Sequence, residues 1–428
     1  MELLRKALIV KKNYFKIVFF LIGFSASLFA SEESFSFKLK GESALLINGD
    51  TGVVLFEKNA HNSYFPASTT KIATALYALK IKKNSLSQEI IAEQDSIGTL
   101  SSETKRKMGY KGAVAYRLEP DGTHIGIKKG EILTFEDLLK GMMIASANDA
   151  ANVIAHELGP TVPTFMNGMN QYLQELGCKK TFFTNPHGLH DPGHQTTAHD
   201  LAIIAKEALK NPLICEIISQ PKFVRPKTNK QLEAVYLQGN RLLRPGKFYY
   251  SKAIGIKTGY HSKAKHTFVG AAKDQERTLI LVLLGYQDRS AMFQEAIELF
   301  NLAFNQEKIR NIYIKEGTQS FSRVITKSSQ ELKTYLKEPL DLVYYPSEDP
   351  KAKPFLYWYS VELPILKDQP VGEVRLISSD QKLLKTVSLH AVEDVNLAFT
   401  HQLLANWGWG LAILGLILGG FLFFRRAN

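Results

Sequence analysis

The chain has 428 residues, of which 45% are apolar and 22% charged. That is ordinary globular usage: it excludes a disordered, collagen-like or multi-spanning protein and allows two or three domains. Two cysteines exclude a disulfide-built scaffold and leave too few thiolates for a Cys-rich metal site. The formal net charge of +12 is no nucleic-acid signal. Half of it lies at the two ends, in Arg5, Lys6, Lys11, Lys12 and Lys16 set against Glu2, and in Arg425 and Arg426.

Residues 1–30 combine a basic stretch, the apolar run Ile17 to Phe24 and small residues up to Ala30, the pattern of a secretory signal. Ala44–Ile47 and Val53–Phe56 flank Gly49-Asp50-Thr51-Gly52, a hairpin signal. Ile72, Ala75, Leu76 and Leu79 recur at helical spacing. Thr134-Phe-Glu-Asp137 reads as a capping box opening a helix that ends near Met143. Thr267–Ala272 and Thr278–Leu284 are β-rich runs joined across Lys273-Asp274-Gln275, and Ser290 is expected to cap a last helix carrying Phe293, Ala296, Ile297, Phe300 and Phe304 on one face. Strands at both ends with helices between predict one α+β domain over residues 31–304.

From 305 to 393 the prolines at 339, 346, 350, 354, 364 and 370 break any long helix, and short runs such as Leu356–Glu362 and Gly372–Ile377 suit strands. A small all-β domain is expected there. Residues 394–428 read as a membrane anchor. Trp407 to Phe424 is free of charge, Trp407 and Trp409 sit where interfacial aromatics belong, and Arg425-Arg426 follows as a stop signal. A chain exported at one end and halted at the other is expected to lie outside the cytoplasmic membrane, tethered by its tail.

Three motifs carry chemistry. Ser68-Thr69-Thr70-Lys71 is a Ser-x-x-Lys, a pattern that Ser102…Lys105, Ser262…Lys265 and Ser379…Lys382 also fit. Ser68 differs by context. Pro66 precedes it, and positions 68, 71, 72, 75, 76 and 79 fall on one otherwise apolar helical stripe. A lysine carried inward at a helix N-terminus is disfavoured as an ammonium by desolvation and by the helix dipole. A neutral amine beside a hydroxyl is a base beside a nucleophile. Ser146-Ala147-Asn148 follows an apolar helix end, and Lys257-Thr258-Gly259 lies on a strand-like run from Ala253 to Tyr260; each occurs once. Taken singly, the motifs read equally well as a helix cap, an inter-helix turn and an edge-strand lysine.

Together, in this order, they resemble the serine penicillin-binding proteins and class A β-lactamases. The closest resemblance is to the low-molecular-mass D-alanyl-D-alanine carboxypeptidases. It extends to Ala44-Leu-Leu-Ile-Asn-Gly-Asp-Thr-Gly, Phe65-Pro-Ala-Ser-Thr-Thr-Lys, Asn148-Asp-Ala-Ala, Asn185-Pro-His-Gly-Leu and Pro370-Val-Gly. The resemblance implies an α+β penicillin-binding domain, an antiparallel sheet flanked by helices, with the small β-domain as a stalk. It implies Ser68 as acylated nucleophile, Lys71 as its base and Ser146 as proton relay. Asn148 would hold a substrate amide, and Lys257, Thr258 and Gly259 would line the carboxylate site. The backbone N–H groups of Ser68 and Tyr260 would form an oxyanion hole. Arg277, at the start of the next strand, is expected as a second carboxylate anchor. The implied substrate is a peptidoglycan stem peptide ending in D-Ala-D-Ala, β-lactams are the implied covalent inhibitors, and neither cofactor nor metal is called for.

The alternatives are a D,D-endopeptidase on crosslinked stems, a class A-like β-lactamase, a zinc metallopeptidase and an inert envelope scaffold. No Glu-x-x-Leu-Asn-like segment lies between Asn148 and Lys257 to activate a deacylating water. His187, His190, His194 and His199 crowd one stretch, but Gly188, Pro192 and Gly193 make it a loop rather than a helical His-Glu-x-x-His site. The stretch between Ser101 and Glu131 is longer than the family pattern, and Cys178 and Cys215 are either a disulfide pair or two free thiols.

Overall fold

The computed structural model describes residues 37–82, 85–274, 276–399 and 401. The signal segment at 1–30 and nearly all of the anchor at 394–428 lie outside the described residues. Among those described, no helix is long and apolar enough to cross a membrane. The chain divides into two compact units, residues 32–306 and a second built from residue 307 onward.

The first unit begins with a hairpin of β1 (Ser43–Asn48) and β2 (Val54–Lys58), then α1 (Lys71–Ile81). A short pair, β3 (Glu89–Ile91) with β4 (Ile132–Thr134), brackets three small helices: α2 (Gln94–Ile97), α3 (Ser102–Lys107) and α4 (Ala113–Tyr116). The helices α5 (Phe135–Met143), α6 (Asn148–Leu158), α7 (Val162–Glu175), α8 (Ala198–Ala208) and α9 (Pro212–Ser219) follow. A second hairpin, β5 (Lys222–Arg225) with β6 (Ala234–Leu237), leads to β7 (Ala253–His261), β8 (Lys265–Lys273) and β9 (Thr278–Tyr286), and α10 (Arg289–Phe304) closes the unit. The main sheet runs β2-β1-β9-β8-β7, antiparallel throughout, with β7 at an edge.

Strand alternation sorts this sheet's side chains between two cores. On β9, Ile280, Val282 and Leu284 pack under the large helical layer, while Leu279, Leu281 and Leu283 pack against Phe293, Leu299 and Phe300 of α10. A strand buried on both faces reads as continuous apolar sequence, which is why Thr278–Leu284 shows no polar alternation. Helix α1 lies inside the helical layer and is buried on nearly every side from Lys71 to Ala78 rather than along one stripe. Thr134 caps α5 as expected, accepting from the Asp137 N–H at 3.0 Å. At α10 the expected cap is corrected: Asp288, not Ser290, takes the first N–H groups, those of Ser290 and Ala291. A carboxylate at that position also favours the positive helix end.

The second unit contains a sheet ordered β11-β12-β16-β15-β14 and a pair β10-β13. The strands are β10 (Ile309–Ile314), β11 (Gly317–Arg323), β12 (Leu332–Leu336), β13 (Leu340–Tyr344), β14 (Lys353–Trp358), β15 (Pro370–Ile377) and β16 (Leu383–Ala391). Leu336, Leu340, Val374, Leu376, Val387 and Leu389 form its main core.

Candidate active site

Ser68 stands on a turn pinned from three directions. Pro66 leads into a 3-10 turn over Ala67–Thr70 that runs straight into α1. The hydroxyls of Thr69 and Thr70 donate to the carbonyls of Pro66 and Ala67 at 2.8 and 2.9 Å. From β8, Thr267 donates to the same Pro66 carbonyl at 2.8 Å. Two glycines let neighbouring backbone close in. A Cβ at Gly259 would lie 2.7 Å from Ser68 N, and one at Gly188, whose φ is +89°, would lie 1.9 Å from the Ala67 carbonyl oxygen. Ala67 and Thr69 are buried, but Ser68 between them keeps part of its surface open.

Lys71 is fully buried. Its Nζ lies 3.0 Å from Ser68 Oγ, 2.7 Å from Asn148 Oδ1 and 2.6 Å from the His187 carbonyl oxygen. Burial, reinforced by the charge of Lys257 and opposed by Asp149, holds its pKa well below the usual lysine value. A neutral amine has two N–H groups and one lone pair. The Asn148 amide oxygen and the His187 carbonyl can only accept, so they take the two N–H groups. The lone pair is left for the one neighbour able to donate, the Ser68 hydroxyl. The two side chains that helical spacing placed on one stripe are thus within hydrogen-bonding distance of each other.

Ser146 lies in the turn between α5 and α6 with φ +63°, partly exposed, and Asn148 opens α6 almost fully buried. The Asn148 N–H donates to the Thr123 carbonyl at 2.8 Å. Next to it, the Asp149 carboxylate accepts from the N–H groups of Ile125, Gly126 and Ile127 at 3.2, 2.9 and 3.0 Å. This gives the long 101–131 stretch its place: it is strapped over the start of α6. Within it Lys105 is fully buried and pairs with Glu119 at 3.1 Å. The Tyr116 carbonyl accepts from His187 Nε2, whose ring is oriented by the Leu189 N–H donating to Nδ1, both at 3.1 Å.

On β7, Lys257 is fully buried and its pKa is lowered to about 7, by burial first and the Arg289 charge second. Its neighbour across the ladder, Val269, belongs to the helical-layer core, whereas Phe268 opposite Thr258 belongs to the α10 core. Thr258 Oγ1 therefore sits on the other face, against Gly239, whose added Cβ would come within 2.7 Å of it. Arg289 donates to the Gly239 carbonyl at 2.8 Å and is itself pushed down by burial, Arg241 and Arg244. These groups form an electropositive patch beside Lys257-Thr258 that the sequence reading did not find. The available signal was a basic residue opening α10, the end where the helix dipole disfavours it. Tyr260 turns its side chain to solvent, its ring 4.5 Å from that of His266, and places its backbone one residue beyond the Gly259–Ser68 approach.

Arg277 is corrected. It is buried, but its guanidinium donates to the Ala303 carbonyl at the C-terminal end of α10 and lies near the Phe304 ring. It has the parity of Leu279, Leu281 and Leu283 and the strand it leads into, β9, is separated from β7 by β8, so it anchors a helix end instead of a ligand. Cys178 and Cys215 are free thiols: Cys178 donates to the Asp200 carbonyl and Cys215 to the Leu209 carbonyl. Of the crowded histidines, His187 and His194 serve the loop itself. His194 Nδ1 accepts from the Thr184 N–H at 3.1 Å and its Nε2 meets the Thr70 hydroxyl at 2.8 Å. Among the described residues no three His, Cys, Asp or Glu side chains gather as a metal site would require.

An antiparallel sheet between two helical layers, with a serine, a buried lysine and a strand lysine converging on one turn, defines a serine peptidase of the penicillin-recognising class. Solved structures share the fold. Penicillin-binding protein 5 of Haemophilus influenzae superimposes with a TM-score of 0.57 over 84% of this chain and 98% of its own, at 23% identity. A D-alanyl-D-alanine carboxypeptidase of Mycobacterium tuberculosis does so with a TM-score of 0.53 over 63% of this chain and 93% of its own, at 29% identity. The curated D-alanyl-D-alanine carboxypeptidase DacF of Bacillus subtilis is 29% identical over 397 residues, 90% of this chain and 96% of that protein. Residues 29–288 match the family model of the S11 peptidases, D-alanyl-D-alanine carboxypeptidase. The chain belongs to that family and is a serine-type D-Ala-D-Ala carboxypeptidase.

Proposed function

We propose that the acyl-enzyme forms on Ser68. Its proton passes to Lys71 Nζ as Oγ attacks the penultimate carbonyl of a peptide ending in D-Ala-D-Ala. The backbone N–H groups of Ser68 and Tyr260 hold the oxyanion, a contribution of roughly 3 kcal/mol per donor in comparable sites. Lys257 and Thr258 receive the terminal carboxylate, and Arg289, which takes the place first given to Arg277, adds its charge beside them. Asn148 holds a substrate amide on its nitrogen side while its oxygen orients Lys71. The Ser146 hydroxyl gives its proton to the leaving amine and takes one back from Lys71, so the C–N bond breaks, D-alanine departs and Lys71 is a free amine again. Water then opens the Ser68 ester: Lys71 takes its proton and returns it to Ser68 Oγ as the shortened peptide leaves. A β-lactam acylates the same oxygen, and its ring-opened product leaves slowly.

The observation that carries this reading is the hydrogen bonding of Lys71, whose two acceptor-only neighbours leave its lone pair for Ser68 at 3.0 Å. It is tested by D-alanine release from a stem pentapeptide together with fluorescent-penicillin labelling. Both are expected to vanish in Ser68→Ala; labelling that survives the substitution overturns the assignment. Mass spectrometry of products from a pentapeptide and a crosslinked dimer separates carboxypeptidase from endopeptidase turnover. The expected product is the tetrapeptide, with the dimer left intact. We further propose that the body works on the outer side of the cytoplasmic membrane, exported by residues 1–30 and held by the apolar run 407–424.

A further inference from the structure

Strand register gives the cleft a direction. In the binding mode proposed above, the substrate carboxylate lies at Lys257-Thr258 and the acylated carbonyl at Tyr260. The peptide then runs antiparallel to β7, and each upstream residue moves about 3.4 Å along it. The residue just before the acylating D-alanine therefore comes against His261, the last residue of β7.

Four rings from four separate segments meet there. Phe65, three residues before Ser68, lies edge-on to His190 with centroids 4.8 Å apart and 6.2 Å from His261. His190 and His261 are 5.5 Å apart, and Tyr110, from the strap over α6, is 6.0 Å from His190. All four are partly exposed. His190 sits at the centre and differs from the other histidines of the region. His187 and His194 are locked by hydrogen bonds on both ring nitrogens, and His261 Nδ1 accepts from the N–H groups of Lys263 and Ala264 at 3.2 and 3.0 Å. The buried Nδ1 of His190 has no hydrogen-bond partner among the described residues. Its ring contacts those of Phe65, Tyr110 and His261. Burial lowers the pKa of both imidazoles, that of His261 to about 4, so the wall is uncharged at neutral pH.

We infer that this ring cluster is a subsite for the aliphatic side-chain arm of the residue immediately upstream of the acylating D-alanine. Ring faces offer methylene groups a flat apolar contact without burying a charge. The inference rests on the carboxypeptidase reading and on the strand direction derived from it.

The test uses the full chain and two acetylated peptides, X-D-Ala-D-Ala with X either glycine or norleucine. The expected kcat/KM is roughly tenfold higher for norleucine, the scale of a few methylenes entering an apolar pocket, with the difference carried in KM. His190→Ala and Tyr110→Ala are expected to reduce that ratio to below about threefold. His190→Phe, which keeps a ring and removes the nitrogens, retains it. The ratio is taken within each variant, and fluorescent-penicillin labelling reports that each variant is folded. Equal turnover of the two peptides by the parent chain, or a ratio unchanged in both alanine variants, overturns the subsite. Absence of D-alanine release from either peptide by the parent chain overturns the carboxypeptidase reading itself and the subsite with it.

Discussion

At the residue scale the site depends on two buried lysines that must hold different charges at the same pH. In the proposed mechanism Lys71 works as a free amine and Lys257 as an ammonium. Burial lowers both, but Lys71 also feels the Lys257 charge and is pushed further. The sign of the pH dependence follows. As pH rises, Lys71 loses its proton first and acylation is switched on. Lys257 then loses its charge near its lowered value of about 7, and attraction for the terminal carboxylate is switched off. Because kcat/KM reports the free enzyme, it is expected to rise on the acid side and fall above about pH 7, while kcat at saturating peptide holds to higher pH. Arg289→Gln removes the charge that helps depress Lys257. Its falling limb is expected to move to higher pH, with KM raised about tenfold or more, the scale of a lost charge-assisted contact. A kcat/KM profile from about pH 5 to pH 10 decides it: a limb that stays in place, or moves down, contradicts the assignment of Arg289.

At the scale of elements, the site exists because β7 lies almost against the turn that opens α1. Only glycine at 259 permits it, since an added Cβ would stand 2.7 Å from Ser68 N and 2.5 Å from Thr267 Oγ1. Gly259→Ala must push strand and turn apart. The loss is expected mainly in reactivity: penicillin acylation slowed about a hundredfold, as for a lost oxyanion donor, with a folded protein by circular dichroism. Acylation at the parent rate would show that the approach is not needed.

This element pairing also marks what could be read from sequence. The hairpins, the Thr134 cap and the strand under Lys257 were legible because local pattern and capping chemistry decide them. Lys71 was legible as an inward lysine from helical spacing, although its contacts to Asn148 and the His187 carbonyl were not. Arg277 was misplaced because strand parity becomes visible only when the neighbouring core is known. Arg289 was missed because its partner, the Gly239 carbonyl, lies 50 residues away in the chain. The strap over α6 was illegible for a similar reason: three of its successive N–H groups converge on one carboxylate, Asp149, and give the strap no periodicity of its own.

At the scale of the whole molecule, every group assigned to the chemistry, from Phe65 to Arg289, falls within residues 32–306, one compact unit with its own cores on both faces of its sheet. The apolar run at 407–424 lies outside that span of the sequence. If that run is the tether, removing it changes where the enzyme is and leaves what it does intact. A chain ending after His401 keeps every described element and loses the stretch without charge together with Arg425 and Arg426. It is expected to leave the membrane pellet for the soluble fraction and to be acylated by fluorescent penicillin within about twofold of the full-length rate, because it keeps the whole 32–306 unit. Retention in the pellet after a high-salt and alkaline wash would remove the tail from its anchoring role. A large loss of acylation would mean instead that the tail takes part in the chemistry assigned to residues 32–306.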